Sequence, residues 1–239
     1  MSGATSLEDP VLKESRGAVR ILTLNRPTKL NAADLEMQQM LLAYVKEAAS
    51  DKEVRALILT GAGRAFSAGG DRSLVEALTA GRLTQKEELG RIHVDTIRSM
   101  LGLSIPTIAA VRGPAVGYAA GLVALCDLVV MSEDAFLCDP HVKFGVAATT
   151  AAQVIWPRLT SYAVAKEILM TGRQVGAQEA QRLGLANRVV PTGQELPTAL
   201  ELADIFVNLP ANGVAETKRA FNRVLLEEVE AALREGPAG

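Results

Sequence analysis

Two glycine-rich turns are the segments of this sequence best suited to bind and polarise a small ligand. They cover residues 68–71 and 113–121, and each follows a predicted strand and opens a predicted helix. Glycine lets the backbone approach a ligand closely because it has no Cβ. The first N–H groups of a helix lack intrahelical partners, so two of them converging on one oxygen would form an oxyanion hole. For either turn alone, a tight connection without a binding role stays an open alternative.

The imidazole of His141 is a group that can transfer a proton. An unperturbed imidazole has a pKa of about 6.5, so it serves as an acid or a base around neutral pH. The alternative is a packed histidine that hydrogen-bonds the backbone. Asp139 stands two residues earlier, and the sequence does not decide whether its carboxylate faces the imidazole.

Several common catalytic motifs are absent from the sequence. There is no GxxxxGK[ST] phosphate loop, and Gly61 and Gly63 precede Phe66 where a dinucleotide loop needs its third glycine. A GxSxG nucleophile elbow and an HExxH zinc motif are also missing. The sequence therefore gives no support to a nucleotide-binding enzyme, a serine hydrolase or a zinc enzyme, and no metal site is predicted.

Composition narrows the class of protein. The 239 residues are 49% hydrophobic and 22% charged, which suits one large α/β domain, and the net charge of -2 is not that of a nucleic-acid binder. Cys126 and Cys138 are predicted to be buried thiols in a reducing compartment. Residues 1–14 lack the apolar core of a signal peptide, and the apolar stretch 116–131 is shorter than a membrane helix. A soluble, cytoplasmic protein without membrane association is expected.

Hydrophobic periodicity predicts early β-β-α units followed by a helical C-terminal third, hence one α/β domain with a helical extension. Strands are predicted at 18–24, 55–60, 107–111, 128–132, 135–138 and 187–190. Helices are predicted at 34–49, 86–101, 118–125, 149–159, 162–170, 177–183, 197–208 and 212–233. The polar stretch 76–88 is predicted to be irregular and mobile.

Five segments together resemble the crotonase (enoyl-CoA hydratase/isomerase) family, in the family's order and at similar spacings. They are NRPTKLNA (25–32), AFSAGGD (65–71), residues 112–127, residues 139–145 and TGRQVGAQEAQRLGLANRVVP (171–191). The resemblance implies an α/β, crotonase-like spiral of ββα units at 1–190 and a helical C-terminal trimerisation region at 191–239, shorter than usual for the family. It also implies a homotrimer or hexamer, an acyl-CoA substrate, and no cofactor apart from the coenzyme A of that substrate.

The resemblance also implies site residues. The N–H groups of Gly70 and Tyr118 would be the oxyanion donors. The residues implied to contact the substrate or its coenzyme A are Lys29, Asn31, Ala32, Ala68, Gly69, Gly70, Asp71, Tyr118 and Gly121.

The sequence departs from the family at both acid–base positions. The two glutamates of the family's hydratases fall on Gly121 and His141, so the two-glutamate mechanism does not apply and His141 is left as a single candidate acid/base. Relatives that cleave β-diketones resemble this chain in having a histidine there, with an orienting aspartate nine residues later, where this chain has Thr150. His93 is on a helix that flanks the site in the family fold, where it could approach the acyl group, but a solvated helix position is predicted.

The leading hypothesis is an enzyme of the enoyl-CoA hydratase/isomerase type that stabilises a thioester enolate and uses His141 for one-base chemistry. Hydration, double-bond migration and C–C cleavage all stay open. One alternative is a catalytically silent homologue that binds acyl-CoA. The other is a C–C (β-diketone) hydrolase of the same fold whose substrate lacks coenzyme A.

Overall fold

The computed structural model describes residues 6, 8–82 and 84–235, and its centre is a six-stranded sheet. The strands are β1 (Val11–Arg16), β2 (Val19–Leu24), β3 (Ala56–Gly61), β4 (Thr107–Val111), β5 (Pro114–Val116), β6 (Leu128–Ser132), β7 (Phe136–Cys138), β8 (Gln174–Gly176) and β9 (Arg188–Val190). The helices are α1 (Leu35–Ser50), α2 (Arg72–Thr79), α3 (Lys86–Gly102), α4 (Tyr118–Ala124), α5 (Thr150–Leu159), α6 (Tyr162–Thr171), α7 (Ala177–Leu183), α8 (Glu195–Val207) and α9 (Ala211–Glu235).

The topology of the two sheets decides which loops meet. The main sheet has the order β1-β2-β3-β4-β6-β9, and only its β1–β2 pair is antiparallel. A smaller sheet has the order β5-β7-β8, with β5 and β7 parallel. Because β3 and β4 are adjacent and parallel, their carboxyl ends leave the main sheet at the same edge. Both glycine-rich turns follow these two ends.

Most predicted elements are present, and the misses have local causes. β1 was not predicted because its exposed second half is polar; it forms through pairing with β2 across Gly17, whose φ is 57°. The polar stretch 76–88 begins inside α2, so its first part is helical and that prediction was wrong. β5 and β8, with three residues each, were not predicted either.

The sheet is covered on both faces. On one face lies a core to which α1, α3, α4, α5 and α6 contribute. On the other face, α8 packs Ala199, Leu202 and Ala203 against Ile58 and Val130. α8 therefore shares a core with β2, β3, β4 and β6 of the main sheet.

Candidate active site

Backbone hydrogen bonds join the two glycine-rich turns side by side. The Phe66 N–H donates to the Arg112 carbonyl at 2.6 Å, and the Ser67 N–H donates to the Pro114 carbonyl at 3.0 Å. In return, the Val116 N–H donates to the Ser67 carbonyl at 3.1 Å. The loop after β3 thus runs beside β5, and the two glycine-rich turns lie next to each other.

The closeness of the turns requires glycine at two positions. Gly69 has a φ of 95°, and a Cβ there would lie 2.6 Å from the Val116 carbonyl oxygen. Gly113 has a φ of 57°, and its Cβ would overlap the Arg64 carbonyl oxygen. Each of these two positions therefore requires glycine both for its left-handed backbone conformation and for its lack of a side chain.

Asn31 fixes the loop after β3 from within. Its side chain is fully buried, and its φ of 55° is rare for a residue other than glycine. Its Oδ1 accepts from the Arg26 N–H at 2.9 Å. Its Nδ2 donates to three backbone carbonyls of the loop, those of Ala62 at 2.9 Å, Ala65 at 2.8 Å and Phe66 at 3.2 Å. The side chain is thus used inside the protein, a role that sequence reasoning missed.

The Gly70 and Tyr118 N–H groups are left free by this network. On either side of Gly70, the Ala33 N–H donates to the Gly69 carbonyl at 2.7 Å and the Asp71 N–H donates to the Ala33 carbonyl at 2.9 Å. Tyr118 is the first residue of α4, where a helical N–H has no intrahelical partner. Neither N–H has an acceptor within the part of the chain that the structure describes.

Both residues line one cleft of about 540 Å³. The predicted contact residues in its lining are Ala68, Gly69, Gly70 and Tyr118. Lys29, Asn31, Ala32 and Asp71 lie outside that lining, and their predicted contact with coenzyme A stays a prediction. Gly121 lines a second, smaller cavity.

Asp71 anchors the start of α2 behind the cleft. Its Oδ1 accepts from the Ser73 N–H at 3.1 Å and from the Ser73 hydroxyl at 2.8 Å. Arg26 lies 3.1 Å from its Oδ2, and the exposed Lys29 lies 3.7 Å away. Burial alone would raise the pKa of Asp71, but the Ser73 hydrogen bonds and the two cations outweigh it and hold that pKa below its ordinary value.

His141 is oriented by Asp139. The imidazole Nδ1 makes a short hydrogen bond with the Asp139 carboxylate, which also accepts from the His141 backbone N–H at 3.2 Å. Asp139 is only 3% exposed, so this carboxylate has little access to water. Because a carboxylate accepts, Nδ1 carries the proton and Nε2 is left as the unprotonated nitrogen of the neutral ring. The sequence left this pairing open; the side chain of Thr150 lies outside the described part of the chain.

One backbone contact brings His141 beside the second glycine-rich turn. The Gly117 N–H donates to the Cys138 carbonyl at 2.8 Å, which ties the start of α4 to the end of β7. A Cβ on Gly117 would lie 3.8 Å from His141 Cε1. The imidazole therefore stands next to the residue that precedes the free Tyr118 N–H, and His141 lines the same cleft.

Gly121 opens a cavity of about 70 Å³ beyond the cleft. Its other walls include Thr96, Ile97, Leu122 and Leu125, so they are mainly apolar. A Cβ on Gly121 would have no atom within 4 Å. Cleft and cavity share the residues His93, Gly117, Tyr118 and His141, which mark their junction.

His93 is at this junction, so the prediction of a solvated position was wrong. Its ring stacks on that of Tyr118 with centroids 5.2 Å apart and planes at 20°. Its Nε2 lies 2.8 Å from Oε1 of Gln38. Burial, with a smaller contribution from the charge of His141, lowers the pKa of His93 to about 4. The Tyr118 hydroxyl is buried without a hydrogen-bond partner among the described residues, and burial raises its pKa.

Two further findings concern the described residues only. No three His, Cys, Asp or Glu side chains there come together as metal ligands. No helix in those ranges has the length and apolar character needed to cross a bilayer.

Known proteins share both sequence and fold with this chain. Residues 14–236 match the family model described as Enoyl-CoA hydratase/isomerase. A putative enoyl-CoA hydratase of Thermus thermophilus is 40% identical over 197 residues, which cover 81% of this chain and 76% of the relative. An enoyl-CoA hydratase/isomerase from Mycobacterium paratuberculosis has a TM-score of 0.91 at 37% identity, over 96% of this chain and 91% of its own. A monofunctional enoyl CoA isomerase from M. smegmatis has a TM-score of 0.78 at 31% identity, over 93% and 98%. These likenesses confirm the predicted fold class.

Proposed function

The chain belongs to the enoyl-CoA hydratase/isomerase family, and we propose that it binds an acyl-CoA thioester and stabilises the enolate of that thioester. The thioester oxygen accepts from the N–H groups of Gly70 and Tyr118, and His141 is the single acid/base. One observation carries the proposal: a single cleft holds two backbone N–H groups that have no acceptor among the described residues, and a histidine aligned by a buried carboxylate.

The chemistry follows from this arrangement. His141 Nε2 takes a proton from the carbon next to the thioester carbonyl, and the electrons of the broken C–H bond move onto the carbonyl oxygen. The two N–H groups then donate to the oxygen where the negative charge develops. In known cases, one such donor is worth about 3–4 kcal/mol in the transition state. Asp139 stabilises the imidazolium that forms and holds its ring in place.

Hydration and double-bond migration share this enolate step, so proton exchange at the α-carbon tests the proposal without a choice between them. We propose incubating the protein in D2O with butanoyl-CoA, whose saturated α-carbon can lose a proton to form the enolate, and counting the deuterium in the thioester by mass spectrometry. His141→Ala should slow exchange by about 10²–10⁴-fold, the range of general acid–base catalysis. The affinity for butanoyl-CoA, measured by calorimetry, should change little.

Lys143→Ala is the matched control, because Lys143 is exposed on the same turn as His141. It should leave both exchange and affinity unchanged. Exchange that survives in His141→Ala would place the base elsewhere and refute the assignment.

A catalytically silent acyl-CoA binder is the second candidate, because neither family glutamate position carries a carboxylate: one has Gly121 and the other His141. It predicts that butanoyl-CoA binds and that no α-proton exchanges. If no thioester binds and only CoA-free β-diketones are cleaved, the hydrolase alternative is correct instead.

The remaining expectations belong to the same proposal. We propose a cytoplasmic homotrimer or hexamer that needs no cofactor apart from the coenzyme A of its substrate. α9 supports self-association because it exposes large apolar side chains, with Phe221 77% and Val224 42% exposed.

A further inference from the structure

Gln38 fixes which nitrogen of His93 carries the proton. Gln38 is 1% exposed, and its Nε2 lies 3.4 Å from the Ala33 carbonyl while its Oε1 lies 2.8 Å from His93 Nε2. Turning the amide by 180° would set its oxygen against the Ala33 oxygen, with no proton between them. Gln38 Oε1 is therefore the acceptor and His93 Nε2 the donor. A neutral imidazole has one N–H, so His93 Nδ1 is an acceptor.

Nδ1, the acceptor nitrogen, is part of the His93 ring, which lies at the junction of the cleft and the small cavity. His93 lines both of them, as His141 does. Within the described ranges, Nδ1 has no hydrogen-bond partner. Stacking on Tyr118 holds the plane of the ring, and Gln38 holds its rotation. The position of the ring and the identity of its acceptor nitrogen are thus both fixed.

His93 is neutral at neutral pH, since its pKa is lowered to about 4. The groups that surround it differ in charge. Four titratable or charged residues of the neighbouring elements line the cleft: Tyr118, His141, Arg72 and Glu76. Asp139 is hydrogen-bonded to one of them, His141. The protonated, positively charged form of the His93 ring is disfavoured mainly by burial and to a smaller extent by the charge of His141.

We propose that His93 is a second substrate-contacting residue, whose Nδ1 accepts a hydrogen bond from a hydroxyl on the β-carbon of the acyl group. The inference rests on the proposed function, because it needs an acyl-CoA in the cleft. With the thioester oxygen at Gly70 and Tyr118 and the α-carbon at His141, the chain beyond the α-carbon leads to the junction where His93 stands. The ligand class is therefore a short 3-hydroxyacyl thioester.

The test compares two ligands that differ by one hydroxyl, 3-hydroxybutanoyl-CoA and butanoyl-CoA. Equilibrium dialysis with mass-spectrometric counting of each bound thioester measures their ratio of affinities even if some ligand reacts. The protein should bind the hydroxylated thioester about 2–10-fold more tightly, the effect of one ordinary hydrogen bond. In His93→Phe, which keeps a ring to stack on Tyr118, the ratio should fall to about 1.

Two controls separate recognition from a general loss of structure. Arg91→Ala, exposed on the same helix as His93, should keep the ratio. Gln38→Glu keeps the shape of the side chain but places a carboxylate on His93 Nε2, so it should raise the pKa of His93. The preference for the hydroxyl should then weaken as the pH falls below that raised pKa, because protonation removes the acceptor.

The tautomer itself is measurable without any ligand. The chain has two histidines, so ¹⁵N-labelled imidazoles give two sets of signals, which His93→Phe assigns. His93 should show a protonated Nε2 and a bare Nδ1 at pH 7; the opposite tautomer would overturn the inference. If His93→Phe still binds both thioesters and their affinity ratio is unchanged, the role of His93 is overturned but the proposed acyl-CoA binding is not. Failure of both thioesters to bind would refute the proposed function.

Discussion

Lowering the pH from 7.5 to 5 should destabilise this protein through His93. The folded protein holds the pKa of His93 at about 4, below its ordinary value of 6.5. Below pH 6.5, the unfolded chain therefore takes up a proton that the folded protein does not, so the free energy of unfolding decreases. The stability is fully present above pH 6.5 and is lost as the pH falls towards 4.

The magnitude follows from the size of the shift. One pKa unit corresponds to about 1.4 kcal/mol, so the full shift is worth roughly 3 kcal/mol, and about 2 kcal/mol of it is lost by pH 5. Urea unfolding at pH 7.5 and pH 5 measures this loss. In His93→Phe the loss should be smaller by about 2 kcal/mol.

The comparison is made within each protein, between the two pH values. His93→Phe also leaves Gln38 Oε1 without a donor, and this cost does not depend on pH, so it cancels. The other ionisable residues are common to both proteins. An equal loss in the two proteins would mean that His93 titrates near its ordinary pKa, and the account of its burial would then be wrong.

Three further predictions concern the scaffold. Asn31→Ala should lower the free energy of unfolding, measured by urea denaturation, by about 3 kcal/mol, because it removes the hydrogen bonds to three loop carbonyls and one N–H. A loss below about 1 kcal/mol would contradict this role. Gly69→Ala should abolish butanoyl-CoA binding in calorimetry, because its Cβ meets the Val116 carbonyl; normal affinity would contradict the tight approach. Phe221→Asp should shift a trimer towards monomer in sedimentation; an unchanged mass would show that α9 does not assemble the protein.

Local features of the sequence were enough to predict the glycine-rich turns and most of the helices, though not α2. α3 and α4 lie where the periodicity placed them, because an apolar stripe repeats over a few residues and reports which face is buried. The turns could be located since glycine at close approaches leaves a direct trace in the sequence. His141 was found as a candidate because it falls on an acid–base position of the family that the sequence resembles, and because the ordinary pKa of an imidazole suits proton transfer.

Contacts between residues that are distant in sequence could not be predicted from the sequence. His93 and Gln38 are 55 positions apart, and only the packing of α3 on α1 brings them together. Asn31 was predicted to contact a ligand, and the structure adds a role that the sequence did not show: the folded loop after β3 surrounds its side chain and uses it as an internal brace. No local pattern distinguishes an asparagine that faces a ligand from one that faces backbone carbonyls.

The sequence by itself therefore predicted an α/β domain and the two turns, because these are recorded in short-range composition and spacing. The resemblance to the family added the crotonase-like fold and the candidate histidine. The tertiary structure decided how the groups are used. The parallel pairing of β3 and β4 brings the turns to one edge, and the link from Gly117 to Cys138 sets His141 beside them. Burial then changes the chemistry: His93 lies at the junction of two cavities with a lowered pKa, and an ionisable group's pKa depends on surroundings that only the folded chain assembles.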